Sequence, residues 1–212
     1  MMEQITLKKT ILDVIEQRKS IRNFTNEKLL IEDVNNIIKS AIYAPYGGAT
    51  GIALKEIRKI FIFTRETGKL KKAQELIYSD IRKSAKAIKF LSFFMRKMKP
   101  FSKRLNTLSK AGIPALDEAS CFIVIAEKKG FPSIEKQSIA HAMQNMWLAA
   151  TSMNIGFSLI SATGMMVKNK EFVNLLGLPY GEYEIDGCVI GIPKSIQVRK
   201  REINTDDFVT WI

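Results

Sequence analysis

Residues 121–126 read CFIVIA, an unbroken apolar run, and a strand of that composition belongs inside a sheet rather than on its rim. The run has strand length and falls far short of the roughly 20 residues that a bilayer-spanning helix needs. Helices able to cover it are written on either side. Ile139, Ala142, Met143, Met146 and Ala150 share one face of a long helix, for which Pro132 and Ser133 supply a start and Gly156 a stop. Val34, Ile37, Ile38, Ala41 and Ile42 mark a second helix over about 31–44, ended by Pro45, Gly47 and Gly48. A further helix over 8–18 carries Ile11, Leu12 and Ile15 on one face. Other strands are expected at 57–63, 157–161 and 185–191, with a short helix at about 168–176 closed by Gly177 and Pro179. This order predicts an α+β fold with one sheet between helices, and 212 residues of ordinary apolar and charged content suit a single domain over 1–212.

Charge narrows the reading. The formal net charge is +12, and between Arg65 and Lys110 fourteen Lys and Arg outnumber three acids, which leaves +1 for the rest of the chain. The basicity therefore belongs to one insert, about 65–112, helical in two pieces separated near Pro100. A positive field over one face steers anionic ligands or surfaces toward it. Cys121 and Cys188 sit in separate apolar runs without CxxC spacing, so they read as buried small hydrophobes, and a four-thiolate iron–sulfur centre is excluded. The single histidine, His141, builds neither a metal site nor a histidine pair, and its helical position suits packing or hydrogen bonding. No metal is expected. The opening MMEQITLKK lacks the apolar segment of a secretory leader, which makes the cytoplasm the expected location.

Four stretches carry the residue types that ligand binding uses. Arg18, Lys19, Ser20 and Arg22, in the run RKSIR, offer cations and a hydroxyl to a phosphate through charge-assisted hydrogen bonds; the same run also describes a solvated helix end with cations at the negative dipole terminus. Ala44 to Gly51, APYGGATG, lets backbone approach a flat ring closely, or simply ends a helix. Ile160-Ser161-Ala162-Thr163-Gly164 presents small residues whose N–H groups face a ligand edge, or forms a strand end. Arg199 to Arg201 is a second basic cluster ahead of a tail that ends in FVTWI.

Singly these are weak signals; their order is specific. RKSIR follows the first helix and AP-small-small-Gly the second. A helix of the type IAxxxQNMWLAAxxxxIGF stands near the middle. LLGLP, a strand ending in GxP, a basic pair and an aromatic tail complete the chain. From about residue 11 to 212 this order resembles the nitroreductase family. The resemblance implies a central, mostly antiparallel sheet flanked by helices, an interlocked homodimer, and FMN at the subunit interface. It implies that Arg18 and Ser20, with Lys19 nearby, hold the ribityl phosphate and that Arg22 lies near the flavin N1 and C2 carbonyl. Pro45, Tyr46 and Gly47 would be the partner subunit's contribution to the ring. Ser161, Thr163 and Gly164 would turn their backbone to the ring and donate a hydrogen bond to N5, and Arg199 or Arg201 would close over the phosphate. The implied activity is hydride transfer from NADH or NADPH to a small electrophilic acceptor of the nitroaromatic, quinone or enone class, by two-stage exchange. Flavin N5 carries that chemistry and no catalytic side chain is required. One departure bears on affinity and substrate class. Many members read APSxxNxQPW after the second helix, whereas this chain has Ala49, Gly51 and Ala53 at the Asn, Gln and Trp positions.

The insert carries Phe90, Phe93, Phe94, Met95, Met98 and Phe101 among its cations. It reads as a solvated helix pair with an apolar inner face, as a lid over a flat acceptor, or as a basic amphipathic surface making weak contact with anionic membrane through 65–112. Two functions compete with the reductase: a flavin-binding sensor or reservoir without turnover, and a basic nucleic-acid-binding protein. The last lacks any helix-turn-helix, zinc-finger or RNA-binding aromatic motif, so no nucleic-acid partner is expected.

Overall fold

The computed structural model describes residues 10–46, 51–196 and 203–212. Its centre is a four-stranded, fully antiparallel sheet of β1 (Arg58–Thr64), β2 (Cys121–Lys128), β3 (Gly156–Leu159) and β4 (Tyr183–Gly191), in the order β1-β2-β4-β3. CFIVIA is the start of β2, an inner strand, and both faces of the sheet are covered. Alternate side chains separate cleanly. Ile123 and Ile125 of β2 and Cys188 and Ile190 of β4 pack against α2 (Ile31–Ile42) and α7 (Glu135–Ser152) through Val34, Ile37, Ala142, Met143 and Met146. Phe122, Val124, Val189 and Ile185 face α4 (Gly68–Phe94) and α9 (Lys170–Leu175), meeting Leu70, Ala73, Ile77 and Phe172. The remaining helices are α1 (Ile11–Gln17), α3 (Leu54–Ile57), α5 (Lys99–Ala111), α6 (Pro114–Glu118) and α8 (Ala162–Met165). The expected α+β fold, an antiparallel sheet between helices, is present.

Several local expectations need correction. In α1 the capping box of Thr10 and Asp13 sets the start, but Ile11, Leu12 and Ile15 are exposed and Val14 is the residue it buries. The insert does break near Pro100, in a 3-10 turn at Arg96–Met98, and Pro100 itself sits in the first turn of α5 where a missing N–H costs nothing. Ser133 does not cap α7: its hydroxyl donates to the Glu135 carboxylate at 2.8 Å, and that carboxylate accepts from the Gly130 N–H at 2.6 Å. Past α7 the left-handed turn falls on Asn154 (φ 57°), while Gly156 begins β3. Residues 162–165, read above as part of a ligand-facing run or a strand end, form a short helix. His141 is exposed on α7 rather than packed. Both cysteines are buried and unpaired, as their runs imply. Among the described residues no helix is long and apolar enough to cross a membrane.

Candidate functional site

After α1 the chain turns out of helix at Arg18 and runs along the free edge of β3. The Ile21 N–H donates to the Phe157 carbonyl at 2.9 Å, the Thr25 N–H to Ile192 at 2.8 Å, and the Lys194 N–H back to Asn23 at 3.1 Å. Phe24 locks this segment in place. It is fully buried in a slot left by two glycines that are register partners across β3 and β4: a Cβ at Gly156 or Gly191 would lie 2.8 Å from its ring. The Phe24 N–H donates to Glu118 at 3.1 Å, and Lys194 pairs with the same carboxylate at 2.9 Å. Lys194 and the Phe24 N–H hold the Glu118 carboxyl below its usual range.

Trp147 of α7 completes the support. Its indole N–H donates to the Lys19 carbonyl at 3.2 Å, its ring stacks on Phe157 at 5.1 Å between centroids, and the Arg18 guanidinium lies 4.2 Å above it. What this frame presents is an open cleft of about 350 Å³ lined by Lys19, Ser20, Ile21, Arg22, Asn23 and Ser195. No carboxylate lines it, and among the described residues none pairs with Arg18, Lys19 or Arg22. Two cations, hydroxyls and an amide without a neutralising acid suit a phosphate monoester.

The other expected site residues are placed as follows. Arg18 adjoins the cleft and rests on Trp147 instead of lining it. Pro45 and Tyr46 lie at the C-terminal end of α2, where the Pro45 carbonyl accepts from Arg58 at 3.3 Å and from the Ser138 hydroxyl at 3.4 Å. Gly47, Arg199 and Arg201 lie outside the described residues. Ser161 is exposed ahead of α8. Thr163 is wholly buried; its N–H donates to Ile160 at 2.8 Å and its hydroxyl, without a partner among the described residues, fills the space that Gly187 leaves open. Gly164 lines a second cleft of about 620 Å³ with Lys136, Ile139, Met165 and Asp186. The structure thus brings together Lys19, Ser20 and Arg22, and it puts Gly164 on a different cleft of this chain.

The pattern of the nitroreductase family matches residues 15–192. The chain belongs to the nitroreductase family. Its fold is similar to that of a nitroreductase with bound FMN from Bacteroides fragilis, at 20% identity over 96% of this chain and 99% of that one, with a TM-score of 0.70. It is also similar to a nitroreductase with bound FMN from Desulfitobacterium hafniense (20% identity, 95% and 97% covered, TM-score 0.67). A third likeness is to a putative NADH oxidase from Clostridium acetobutylicum (16%, 93% and 98%, 0.60). No curated protein matches the chain.

In this nitroreductase chain the sequence reading missed the residues that hold the site rather than those that line it. Trp147 stands inside the helix pattern but carries no visible sign of its role. Phe24 looks like any apolar residue after a basic run. Arg58 is buried at the start of β1, where its Nε donates to Glu127 of β2 at 2.6 Å and its other nitrogens reach Ala41, Ala44, Pro45 and Ser138. It ties the end of α2 to the sheet. Opposite charges at the ends of the apolar runs RKIFIF and CFIVIAE were the available signal.

Proposed function

We propose that this protein is an FMN-dependent oxidoreductase that passes hydride from NADH or NADPH to a small electrophilic acceptor, working as a homodimer in the cytoplasm. The observation that carries the reading is the cleft of Lys19, Ser20 and Arg22, cationic, free of carboxylates and fixed from behind by Trp147 and Phe24. FMN, when bound, supplies the ring that takes up and hands on the hydride.

The chain's own residues bind and orient. Lys19 and Ser20, with Arg18 beside them and Arg199 or Arg201 following Ser195 along the chain, hold the phosphate. Arg22 sets a fixed positive charge at the cleft, where negative charge gathering on a reduced ring is stabilised. Ser161, Thr163 and Gly164 are assigned to the ring edge. Since the Thr163 N–H is already engaged by Ile160, a hydrogen bond to the ring comes from a neighbouring backbone group. Pro45, Tyr46 and Gly47 serve the site of the partner copy. That assignment is supported by exposed apolar side chains on α1 and the tail, including Ile11, Leu12, Phe208 and Trp211, which suit a subunit contact.

Donor and acceptor use the same space in turn, so no acid–base dyad is required. The test is optical. Purified protein is expected to be yellow, to bleach under anaerobic NADH or NADPH, and to recover its colour with a quinone or nitroaromatic, with parallel initial-rate lines. Colour that never bleaches would favour a flavin reservoir; intersecting lines would remove the two-stage scheme.

A further inference from the structure

The α4–α5 hairpin ends in a cluster of exposed apolar side chains. Phe90, Phe93 and Phe94 are 69%, 83% and 69% exposed, and Leu91, Met95 and Phe101 lie beside them in the open. The Phe94 ring meets the other two edge to face, with centroids 5.5 Å apart for Phe90–Phe94 and 5.3 Å for Phe93–Phe94. This is not a frayed end. The buried Ser92 hydroxyl donates to the Lys89 carbonyl at 2.8 Å and stands 3.4 Å from the Ser102 hydroxyl of α5, while the turn closes through the Met95 N–H to Leu91 and the Met98 N–H to Met95. Apolar burial on α4 runs from Leu70 to Ala85 and stops there, so the aromatic cluster lies beyond the part of the helix that packs on the sheet, about 1.5 Å further per residue.

Around this tip the charge is of one sign. From Ile81 to Leu116 the sequence holds ten Lys and Arg and no Asp or Glu. Lys86, Lys89, Arg96, Lys97, Lys99, Lys103 and Arg104 are all exposed. An aromatic tip ringed by cations is the composition of a segment that seats its rings at the headgroup and acyl boundary while its cations meet anionic headgroups. A second copy of the same tip is a poor occupant, because two such fields repel.

We propose that the tip of the α4–α5 hairpin docks on anionic lipid bilayers, with Phe90, Phe93 and Phe94 entering the interface and Lys89, Arg96, Lys97, Lys99 and Lys103 facing the headgroups. The inference stands apart from the flavin reading, since none of these residues lines the RKSIR cleft.

The test is co-sedimentation of the full chain with vesicles of phosphatidylcholine alone and of phosphatidylcholine mixed with phosphatidylglycerol, at low and high salt. Binding is expected to the mixed vesicles only, to weaken with salt, and to fall roughly five-fold for each tip cation neutralised, as in Lys97→Gln or Lys99→Gln. Phe93→Ser with Phe94→Ser should abolish it while leaving the melting temperature unchanged, because both rings are already exposed. A Phe94→Trp reporter should shift its emission to the blue on the mixed vesicles. Binding that survives loss of both rings, equal binding to neutral vesicles, or no binding at all would overturn the proposal. So would tight salt-dependent oligonucleotide binding without vesicle binding, which assigns the charge to nucleic acid, or a raised acceptor KM in the Phe variants without vesicle binding, which assigns the tip to a lid.

Discussion

Arg58 and Glu127 are register partners across β1 and β2, and both are buried, 5% and 1% exposed, in a direct ion pair. The guanidinium also reaches the carbonyls of Ala41, Ala44 and Pro45 at and just past the end of α2, so one buried charge pair joins two strands to the loop that starts at Pro45. Removing one partner strands the other charge. Glu127→Gln or Arg58→Met is expected to cost about 3–5 kcal/mol in urea unfolding, while the double change Arg58→Met with Glu127→Leu recovers much of it. A single variant as stable as the parent would show that the pair is solvated in solution.

The Phe24 slot has no spare room. Gly156→Ala and Gly191→Ala each place a methyl 2.8 Å from the ring and are expected to cost about 1–3 kcal/mol. Phe24→Ala is expected to cost about 3–5 kcal/mol. Because the ring anchors the segment that bears Lys19 to Arg22, all three should also speed proteolysis near residue 20; melts and limited digestion check this together.

Burial pushes the Asp186 carboxyl above the ordinary aspartate range, with the Gly187 N–H opposing only in part. For an acid held high in the fold, stability is complete below its unfolded pKa and is lost as pH rises through the folded value. Asp186→Asn should therefore be more stable than the parent near neutral pH and gain nothing in acid. A constant advantage at every pH would remove the ionisation argument.

Desolvation raises the Cys121 thiol to about 11 and the Cys188 thiol well above its usual value. Neither is expected to react with a neutral disulfide reagent in the native protein at neutral pH, and both should react in denaturant. Fast native labelling of either would mean that the sheet face against α7 opens readily.

These cases also show what the sequence made legible. CFIVIA and the spacing of Ile139 to Ala150 announced a sheet covered by helices, because burial on both faces leaves no polar position in a strand. RKSIR made a shared cleft for Lys19, Ser20 and Arg22 legible, because neighbours in an extended run stay close together in the fold. The helix at 162–165 escaped because four residues, three of them small, carry no period. The Phe24 slot and the Arg58 pair escaped because each joins residues more than sixty positions apart, 69 in the case of Arg58 and Glu127, and only the folded register makes them neighbours. The exposed face of α1 misled for a related reason: an apolar stripe says that something covers it and does not say whether the cover is its own core.

The proposal that Lys19 and Ser20 hold the phosphate of FMN is tested most directly by the affinity of flavin-free protein for FMN set against riboflavin, which lacks only that phosphate. With two or more charge-assisted hydrogen bonds at about 1.5–3 kcal/mol each, FMN is expected to bind at least ~100-fold more tightly, with the gap shrinking in Lys19→Ala and Ser20→Ala and at high salt. Equal affinity for the two flavins, or a gap untouched by those substitutions, would contradict the account.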